Sequence, residues 1–283
     1  MSQTELQPAG ELSLGHAVVL GLLHGPAELL PISSSGHVTL VPWLLGWEHE
    51  GLDPELRKSF EVALHAGTAA ALLITLRDEV KDTLRSGNPR LALLIGLSFV
   101  PPAAAGYLLE GPIEKRLGRP GSVAAGLVVG SVAMWAADRS PGLRDRLDAT
   151  AADALWLGAA QASALIPGVS RNGATVAAAR RRGFTPEEAN VLSRHVALPI
   201  IAAATARRLF RGRMNIPADQ GGALLAGTLA SFISTLGSTW IIGRVERRPS
   251  LLPYVLYRLG LAGLVGGRSI AARRGPRNHR SER

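Results

Sequence analysis

Long uncharged runs restrict what this sequence can fold into. Residues 220–243 form 24 consecutive positions without a charge, residues 91–109 form 19, and residues 121–137 form 17. A hydrocarbon core about 30 Å thick needs roughly 20 helical residues to cross it. A soluble amphipathic helix alternates polar and apolar faces, and these runs lack that alternation. They therefore predict an all-α polytopic membrane protein.

The positive charge of the chain does not indicate a nucleic-acid-binding protein. There are 31 basic and 22 acidic residues, which gives a net charge of +9. The basic residues are scattered between apolar runs instead of forming one face, so no nucleic acid is predicted as a partner. Loop arginines instead orient a membrane protein and contact anionic lipid head groups. The absence of cysteine excludes disulfides and thiolate metal sites.

Two apolar segments are interrupted by polar motifs that contain Pro and Gly. The first, residues 12–47, has apolar arms at about 13–23 and 38–47, each about 15 Å long as a helix. Neither arm crosses a bilayer alone, so we predict a re-entrant hairpin whose tip lies near the midplane. Irregular backbone at that depth must be enclosed by protein or line a cavity. Residues 153–182 repeat the pattern, with a break at 167–173.

Three predicted spans follow each hairpin, and this arrangement predicts an inverted repeat. The spans lie at about 60–77, 91–109, 121–137, 189–207, 220–243 and 250–267. An odd number of spans in each half makes the second hairpin enter from the opposite face, so that both tips meet near the midplane. Weak internal matches agree with this interpretation: Leu20-Gly21 with Leu157-Gly158, and Pro31-x-x-Ser34 with Pro167-x-x-Ser170.

The chain, 1–283, is therefore predicted to be a single integral-membrane domain. Its first repeat covers 12–138, its second covers 153–267, and the basic tail 268–283 is predicted to be disordered. Small residues spaced as in GxxxG leave a homodimer open as a partner, although the pattern is too common in spans to predict one.

The orientation in the membrane is predicted from loop charge. Four loops on one face carry more Arg and Lys than the opposing loops, which makes that face cytoplasmic by the positive-inside rule. These loops are 78–90, 138–152, 180–188 and 244–249. The basic tail and four arginines argue for the opposite orientation: Arg207, Arg208, Arg211 and Arg213.

Two polar motifs in the interrupted segments contain the groups of a phosphate-handling site. Polar groups at membrane depth are costly and usually mark a functional site. Residues 24–37 include Glu28, two imidazoles and three serines, and residues 167–175 include Arg171. Together the motifs supply a carboxylate, a guanidinium, imidazoles, hydroxyls and backbone N–H groups freed by glycine.

Each side chain of the first motif also has a purely structural interpretation. Glu28 is either a general acid or base in a cleft of low dielectric or the partner of a buried arginine. One of Ser33, Ser34 and Ser35 is expected to cap a helix. Ser34 is also a candidate nucleophile, because His37 lies three residues later and the two can meet on one helical turn. His37 is a candidate base, phosphate partner or nucleophile, and an activated water is the remaining alternative.

The second motif offers a phosphate clamp. Arg171 can form an ion pair with Glu28, hold a phosphate in a bidentate manner, or do both. The motif is expected to open a helix whose free N–H groups bind anions. The predicted substrate-binding residues are His24, Ser33, Ser35, Gly168, Ser170, Asn172 and Thr175. Four other polar residues in the spans are expected to pair inside the bundle: His65, Arg194, His195 and Arg258.

These motifs resemble those of the undecaprenyl-diphosphate phosphatase family, integral-membrane enzymes linked to bacitracin resistance. The resemblance extends over nearly the whole chain and is carried by residues 28–37, 60–62, 167–175 and 253–258. It implies hydrolysis of a C55 polyprenyl diphosphate to the monophosphate in the bacterial plasma membrane, which recycles the lipid carrier of cell-wall synthesis. It also implies a divalent cation, Mg²⁺ or Ca²⁺, for which Glu28 is the one candidate ligand in a sequence without a separate metal motif.

The resemblance also implies roles for individual residues. Glu28 is similar to the family's essential carboxylate, Ser34 and His37 to its serine–histidine pair, and Arg171 to its phosphate-binding arginine. These four residues are the predicted catalytic residues. The family's site is thought to open toward the extracytoplasmic face, which agrees with the orientation predicted from the loops.

Two positions depart from the family pattern. His24 stands where the family has Glu or Gln, four residues before the essential Glu, and Asn172 stands where it has Ser. His24 can donate to a phosphate or hold a proton but cannot bind a cation as a carboxylate does. The alternative function is therefore a polyprenyl-phosphate flippase or transporter on the same fold, with weak or no phosphatase activity.

Overall fold

The described part of the chain is helical, as the sequence predicts. The computed structural model describes residues 11–47, 51–78, 81, 85, 87–210, 219–245 and 250–274. Its helices are α1 (Leu14–Leu29), α2 (Ser34–Leu45), α3 (Pro54–Thr75), α4 (Pro89–Leu117), α5 (Pro120–Ala137), α6 (Ala151–Ser163), α7 (Arg171–Arg181), α8 (Pro186–Phe210), α9 (Gly221–Val245) and α10 (Leu252–Arg274). A 3₁₀ turn, Arg146–Asp148, precedes α6.

Two pairs of short helices each precede three long ones. The first pair, α1 and α2, has 16 and 12 residues, and the second, α6 and α7, has 13 and 11. The helices α3 to α5 follow the first pair, and α8 to α10 follow the second. This is the order of elements that the interrupted segments and apolar runs predict.

The first break is much shorter than the motif that predicts it. Helix α1 continues through Pro26 to Leu29, so only residues 30–33 separate it from α2. Pro26 has no N–H to donate to the carbonyl of Leu22, four residues earlier. The hydroxyl of Ser234 in α9 donates to that carbonyl instead, at 2.5 Å. A partner from a distant helix therefore lets α1 run past the proline.

Among the described residues, three helices are long and apolar enough to cross a membrane by length and composition. They are Pro89–Leu109 in α4, Pro120–Ala137, and Gly221–Trp240 in α9. The other predicted spans correspond to α3, α8 and α10, which have 22, 25 and 23 residues. These three are long enough, but polar positions such as His65, Arg194 and Arg258 lower their hydropathy.

The first helix of each short pair packs closely against a long helix of the other half. Helix α1 lies against α9, and α6 lies against α4. A Cβ at Gly21 would lie 2.5 Å from the carbonyl oxygen of Gly227, and one at Gly158 would lie 2.7 Å from that of Ser98. Both contacts require glycine. The weak match of Leu20-Gly21 with Leu157-Gly158 therefore marks two equivalent close approaches.

Arginine–aspartate pairs fix the turns between α5 and α8. Asp153 is fully buried and accepts from Arg144 Nη2 at 2.8 Å and from Arg182 Nε at 2.5 Å. Arg180 pairs with Asp138, whose oxygens also accept from Ser250 and the N–H of Leu251. Burial alone would raise the pKa of Asp138, but these hydrogen bonds outweigh it and hold the pKa below its ordinary value. The basic run 180–182 therefore has structural partners.

We expect Asp153→Asn to destabilise the protein by about 2 kcal/mol, because two arginines would lose their shared carboxylate. Both arginines keep partial access to solvent, which holds the loss below the roughly 3–5 kcal/mol of a fully buried broken pair. The thermal midpoint in detergent measures the effect. Asp78→Asn is the control, since the side chain of Asp78 is 75% exposed, and an equal fall in both variants would contradict the prediction.

The last helix corrects one predicted boundary. Helix α10 extends to Arg274, and Arg268 donates to the carbonyl of Leu44 at 2.7 Å. The disordered tail predicted to begin at residue 268 is therefore wrong for residues 268–274. Residues 275–283 lie outside the described residues, as do Arg211, Arg213, the side chains of Arg207 and Arg208, and parts of loops 78–90 and 244–249. The membrane orientation stays a prediction.

Candidate active site

Glu28 connects the two polar motifs. It lies in the last turn of α1 and is 8% exposed. Arg171 Nη2 donates to Oε1 of Glu28 at 2.8 Å, and Ser34 Oγ donates to Oε2 at 2.5 Å. The predicted ion pair between the motifs is confirmed. Arg171 is the first residue of α7 and does not lie inside the second break, where the sequence placed it.

Ser33 and Ser170 cap α2 and α7 with the same unusual backbone. Their φ angles are +76° and +71°, in a region of backbone conformation that residues other than glycine rarely adopt. Each hydroxyl accepts from the N–H of the glycine three residues later, Gly36 or Gly173, at 3.2 Å. Backbone strain of this kind costs about 1–3 kcal/mol and clusters at functional sites. It occurs here at both breaks.

This shared cap corrects the internal alignment. Ser33 and not Ser34 is the counterpart of Ser170, so the two positions differ by 137 residues. Leu20 and Leu157 have the same offset. The match of Pro31-x-x-Ser34 with Pro167-x-x-Ser170 was one residue out of register. In the corrected register Arg171 is the counterpart of Ser34.

The described hydrogen bonds of Ser34 and His37 go to other residues, so the two are not hydrogen-bonded to each other in this structure. His37 Nδ1 lies 2.7 Å from the carbonyl oxygen of Ser33, and Nε2 lies 2.7 Å from the hydroxyl of Tyr257. A carbonyl only accepts, so Nδ1 carries the proton and Nε2 accepts from Tyr257. Sequence reasoning missed Tyr257 as a partner, although it lies in the quoted motif 253–258.

The other second-motif residues have mainly structural contacts. Asn172 Nδ2 donates to the carbonyl of Leu29 at 2.7 Å, and Ser193 donates to Asn172 Oδ1 at 2.9 Å. Thr175 is fully buried and donates to the carbonyl of Arg171 at 2.9 Å. Asn172 therefore holds the end of α1 against the start of α7, and Thr175 does not reach the cavity described below.

Arg258 connects both breaks from the centre of the bundle. It is fully buried, and its guanidinium donates to five oxygen atoms. The acceptors are the carbonyls of Pro31, Leu127, Gly168 and Val169 and the hydroxyl of Ser131. The structural interpretation of Arg258 is confirmed. Gly168, a predicted ligand, contributes its carbonyl to this clamp.

A cavity of about 280 Å³ opens beside the Glu28–Arg171 pair. Its polar wall contains Glu28, Ser33, Ser34, Ser35, His65, Gln161, Ser170, Arg171 and Asn172. Its apolar wall includes Ala27, Val62, Pro102, Ala164, Leu165, Ile200, Ile201 and Ala204. Predicted residues from both motifs therefore meet in one cavity, whose lining combines polar groups with apolar side chains.

A smaller cavity, of about 60 Å³, lies on the other side of the same pair. Glu28, Arg171 and Asn172 line both cavities. The smaller one is otherwise lined by residues near the end of α3 and the starts of α8 and α10, including Leu76, Asn190 and Tyr254. The Glu28–Arg171 pair therefore borders both cavities.

His24 lies in a buried polar cluster and does not line the larger cavity. It is 1% exposed, and its Nδ1 lies 3.0 Å from Thr68 Oγ1. Its ring meets that of His65 edge to face, with centroids 4.6 Å apart. His65 Nδ1 lies 3.9 Å from Glu28 Oε2. The sequence did not predict that His65 lies beside Glu28 and His24, although a histidine within an apolar span already indicated a buried polar contact.

The apolar helices and the buried polar site define a membrane protein with a polar centre. The family model described as bacitracin resistance protein BacA matches residues 17–264. The chain belongs to this family.

Similar proteins agree with this family over nearly their whole length. A protein from Geobacter sulfurreducens named undecaprenyl-diphosphatase is 39% identical over 90% of this chain and 97% of its own. One of the same name from Pelobacter propionicus is 38% identical over 90% of this chain and 96% of its own. A third, from Geobacter metallireducens, is 36% identical over 88% and 95%. The family expected from the motifs is confirmed.

Proposed function

We propose that this protein hydrolyses undecaprenyl diphosphate to undecaprenyl phosphate and inorganic phosphate in the bacterial plasma membrane. The contact that carries this proposal is Glu28 held between Ser34 and Arg171 at the wall of the cavity. The names of the relatives favour hydrolysis over lipid transport without chemistry. The apolar wall suits the start of a prenyl chain, and the polar wall suits its diphosphate.

Arg171 is the proposed phosphate ligand. One of its nitrogens, Nη2, is paired with Glu28, while Nε is buried with no hydrogen-bond partner in the described part of the chain. Buried donors without partners are rare, so this N–H is available to a ligand oxygen. A guanidinium that holds a phosphate neutralises the charge on the transferred phosphoryl group.

Ser34 is the proposed nucleophile, and Glu28 is its base. The Ser34 proton already points at Glu28, whereas His37 is occupied by Ser33 and Tyr257. Attack forms a bond between Ser34 Oγ and the terminal phosphorus, breaks the anhydride bond to polyprenyl phosphate, and transfers the Ser34 proton to Glu28. Water then bonds to the phosphorus and breaks its bond to Ser34 Oγ, Glu28 returns its proton to the departing Ser34 oxygen, and both water protons leave on the inorganic phosphate.

Trapping of the covalent intermediate tests this assignment. We expect terminally ³²P-labelled C55 diphosphate, quenched in acid during turnover, to label a peptide that contains Ser34. Ser34→Ala should remove the label and lower phosphate release by about 10³-fold, because the nucleophile is lost. Acid preserves a phosphoserine, whereas alkali preserves a phosphohistidine. Phosphate release by the wild type with no acid-stable label, or with a label stable only in alkali, would overturn Ser34 as the nucleophile. No release would overturn the function.

We also propose that the two halves form an inverted repeat with re-entrant hairpins. The order of short and long helices, the shared positive φ at Ser33 and Ser170, and the reciprocal packing of α1 on α9 and of α6 on α4 support it. In this arrangement both strained caps meet near the midplane. The polar groups of the site are then enclosed by protein, which satisfies the requirement for irregular backbone at that depth.

The divalent cation implied by the family resemblance stays a prediction. Mg²⁺ and Ca²⁺ prefer oxygen ligands. In the described part of the chain, the side chains grouped around Glu28 that could hold a metal are two imidazoles, His24 and His65. This donor set fits Mg²⁺ or Ca²⁺ poorly, so no step of the proposed reaction is assigned to either ion.

A further inference from the structure

Three side chains with metal-binding atoms meet beside the larger cavity. His24, Glu28 and His65 each offer one ligand atom, and these atoms lie within 4.8 Å of one another. We propose that they form a site for a borderline transition-metal dication of the Zn²⁺ class, in preference to Mg²⁺ or Ca²⁺. The location deepens the proposed function, but binding of the ion is measurable without substrate and without turnover.

A chain of hydroxyl groups beside His24 indicates which of its two nitrogens carries the proton. Thr235 donates its proton to the carbonyl of Ser231 at 2.7 Å, and Ser231 donates its own to the carbonyl of Leu64 at 2.9 Å. Thr68 Oγ1 contacts both hydroxyl oxygens, at 3.2 and 2.8 Å, so Thr68 is the donor to one of them. Its oxygen is then free to accept from His24 Nδ1 at 3.0 Å.

This proton arrangement leaves Nε2 of His24 with an unprotonated lone pair, because a neutral imidazole carries one proton. Metal-binding histidines usually donate their other N–H to an oxygen acceptor, which fixes the ring and its tautomer. Thr68 supplies that acceptor for His24. The same three hydroxyls hold α1, α3 and α9 together, so the ring is oriented by three helices.

Glu28 divides its two oxygens between different partners. Oε1 accepts from Arg171, while Oε2 faces Ser34 and His65. Oε2 and His65 Nδ1 are 3.9 Å apart. Two ligands about 2.0–2.2 Å from one tetrahedral Zn²⁺ ion lie about 3.3–3.6 Å apart. This pair therefore needs to approach by about 0.3–0.6 Å, and the most distant atoms of the group by at most about 1.5 Å.

The donor types select the ion. Two imidazoles and one carboxylate are the ligands of many zinc sites that keep a coordination position open. Imidazole suits Zn²⁺ and neighbouring ions such as Fe²⁺ and Ni²⁺, whereas Mg²⁺ and Ca²⁺ prefer oxygen. His65 also lines the larger cavity, so an open position would face the space proposed for the diphosphate. His24 therefore changes the class of ion at a position where the family resemblance places Glu or Gln.

Metal binding by tag-free protein in detergent tests the site. We expect one equivalent of Co²⁺ to give visible absorption bands that Zn²⁺ abolishes and that millimolar Mg²⁺ or Ca²⁺ leaves unchanged. His65→Ala and His24→Ala should each weaken Co²⁺ binding at least about 10-fold, and Thr68→Val should weaken it about 10- to 100-fold through the lost orientation of His24. His24→Glu should make the site sensitive to Mg²⁺ and Ca²⁺.

His16→Ala is the matched control, because His16 stacks on Trp47 away from the cluster. It should bind Co²⁺ as the wild type does. Each variant must elute as the same species and keep its thermal midpoint within a few degrees. Absent Co²⁺ binding by the wild type, unchanged binding in folded His24→Ala and His65→Ala, or displacement by Mg²⁺ would each overturn the proposal. Phosphate release measured alongside reports separately on the proposed function.

Discussion

Arg171→Ala is expected to lower phosphate release from C55 diphosphate by about 10³-fold or more. A guanidinium on a transferred phosphoryl group is worth about 10³–10⁵ in rate. The substitution also leaves the buried Glu28 carboxylate without its cation. Arg171→Lys should recover only a small part of the rate, because an ammonium keeps the charge but cannot bridge Glu28 and a phosphate with separate planar N–H groups. Initial rates of phosphate release in detergent check both variants.

The matched control for this prediction is Arg139→Ala. Arg139 is an arginine outside both cavities that lies over the ring of Trp135, 3.6 Å from its centroid. Its replacement should leave the rate unchanged. If folded Arg171→Ala released phosphate at more than a tenth of the wild-type rate, Arg171 would not be the phosphate ligand.

Arg258→Met is expected to cause the largest loss of stability of any single substitution considered. The guanidinium is fully buried and donates to five oxygens. Two of these oxygens belong to α5, one to the break before α2 and two to the break before α7. Methionine fills similar space but removes the guanidinium donor from the buried carbonyls of Pro31, Gly168 and Val169, at a cost of about 3–5 kcal/mol. We expect the thermal midpoint in detergent to fall by about 10 °C.

Arg268→Met is the control on the same helix. Arg268 donates to one carbonyl, that of Leu44, and lies 5.1 Å from the centre of the Trp43 ring. As an exposed side chain it should contribute about 1 kcal/mol or less. Equal midpoints for Arg258→Met and Arg268→Met would show that the buried clamp does not hold the two breaks.

The helix positions could be predicted from local sequence, because the length and hydropathy of an apolar run are enough to identify a membrane-spanning helix. The run 220–243 became α9 and the run 121–137 became α5. The first break was harder to bound, since α1 passes Pro26 only because Ser234 satisfies the carbonyl of Leu22. That hydroxyl is 212 residues away in sequence, and no local pattern points to it.

The sequence predicted which two motifs form the site, but it did not predict the hydrogen-bond partners of the individual side chains. The Glu28–Arg171 pair followed from the cost of an unpaired carboxylate in a membrane. Helical spacing permitted a contact between Ser34 and His37, but the positive φ of Ser33 sets the start of α2, and His37 bonds to Tyr257, 220 residues away. The approach of His65 to His24 depends on the packing of α1, α3 and α9, which spacing does not encode.

The most direct measurement is multiple-turnover phosphate release from C55 diphosphate by the purified chain, with Glu28→Gln beside it. The assay includes Zn²⁺, Mn²⁺, Mg²⁺ and Ca²⁺ in separate reactions. The account predicts many phosphates released per wild-type molecule and almost none from Glu28→Gln, whose amide cannot take the Ser34 proton. Folded wild-type protein that binds the lipid but releases no phosphate with any of these ions would contradict hydrolysis and favour lipid transport on the same fold.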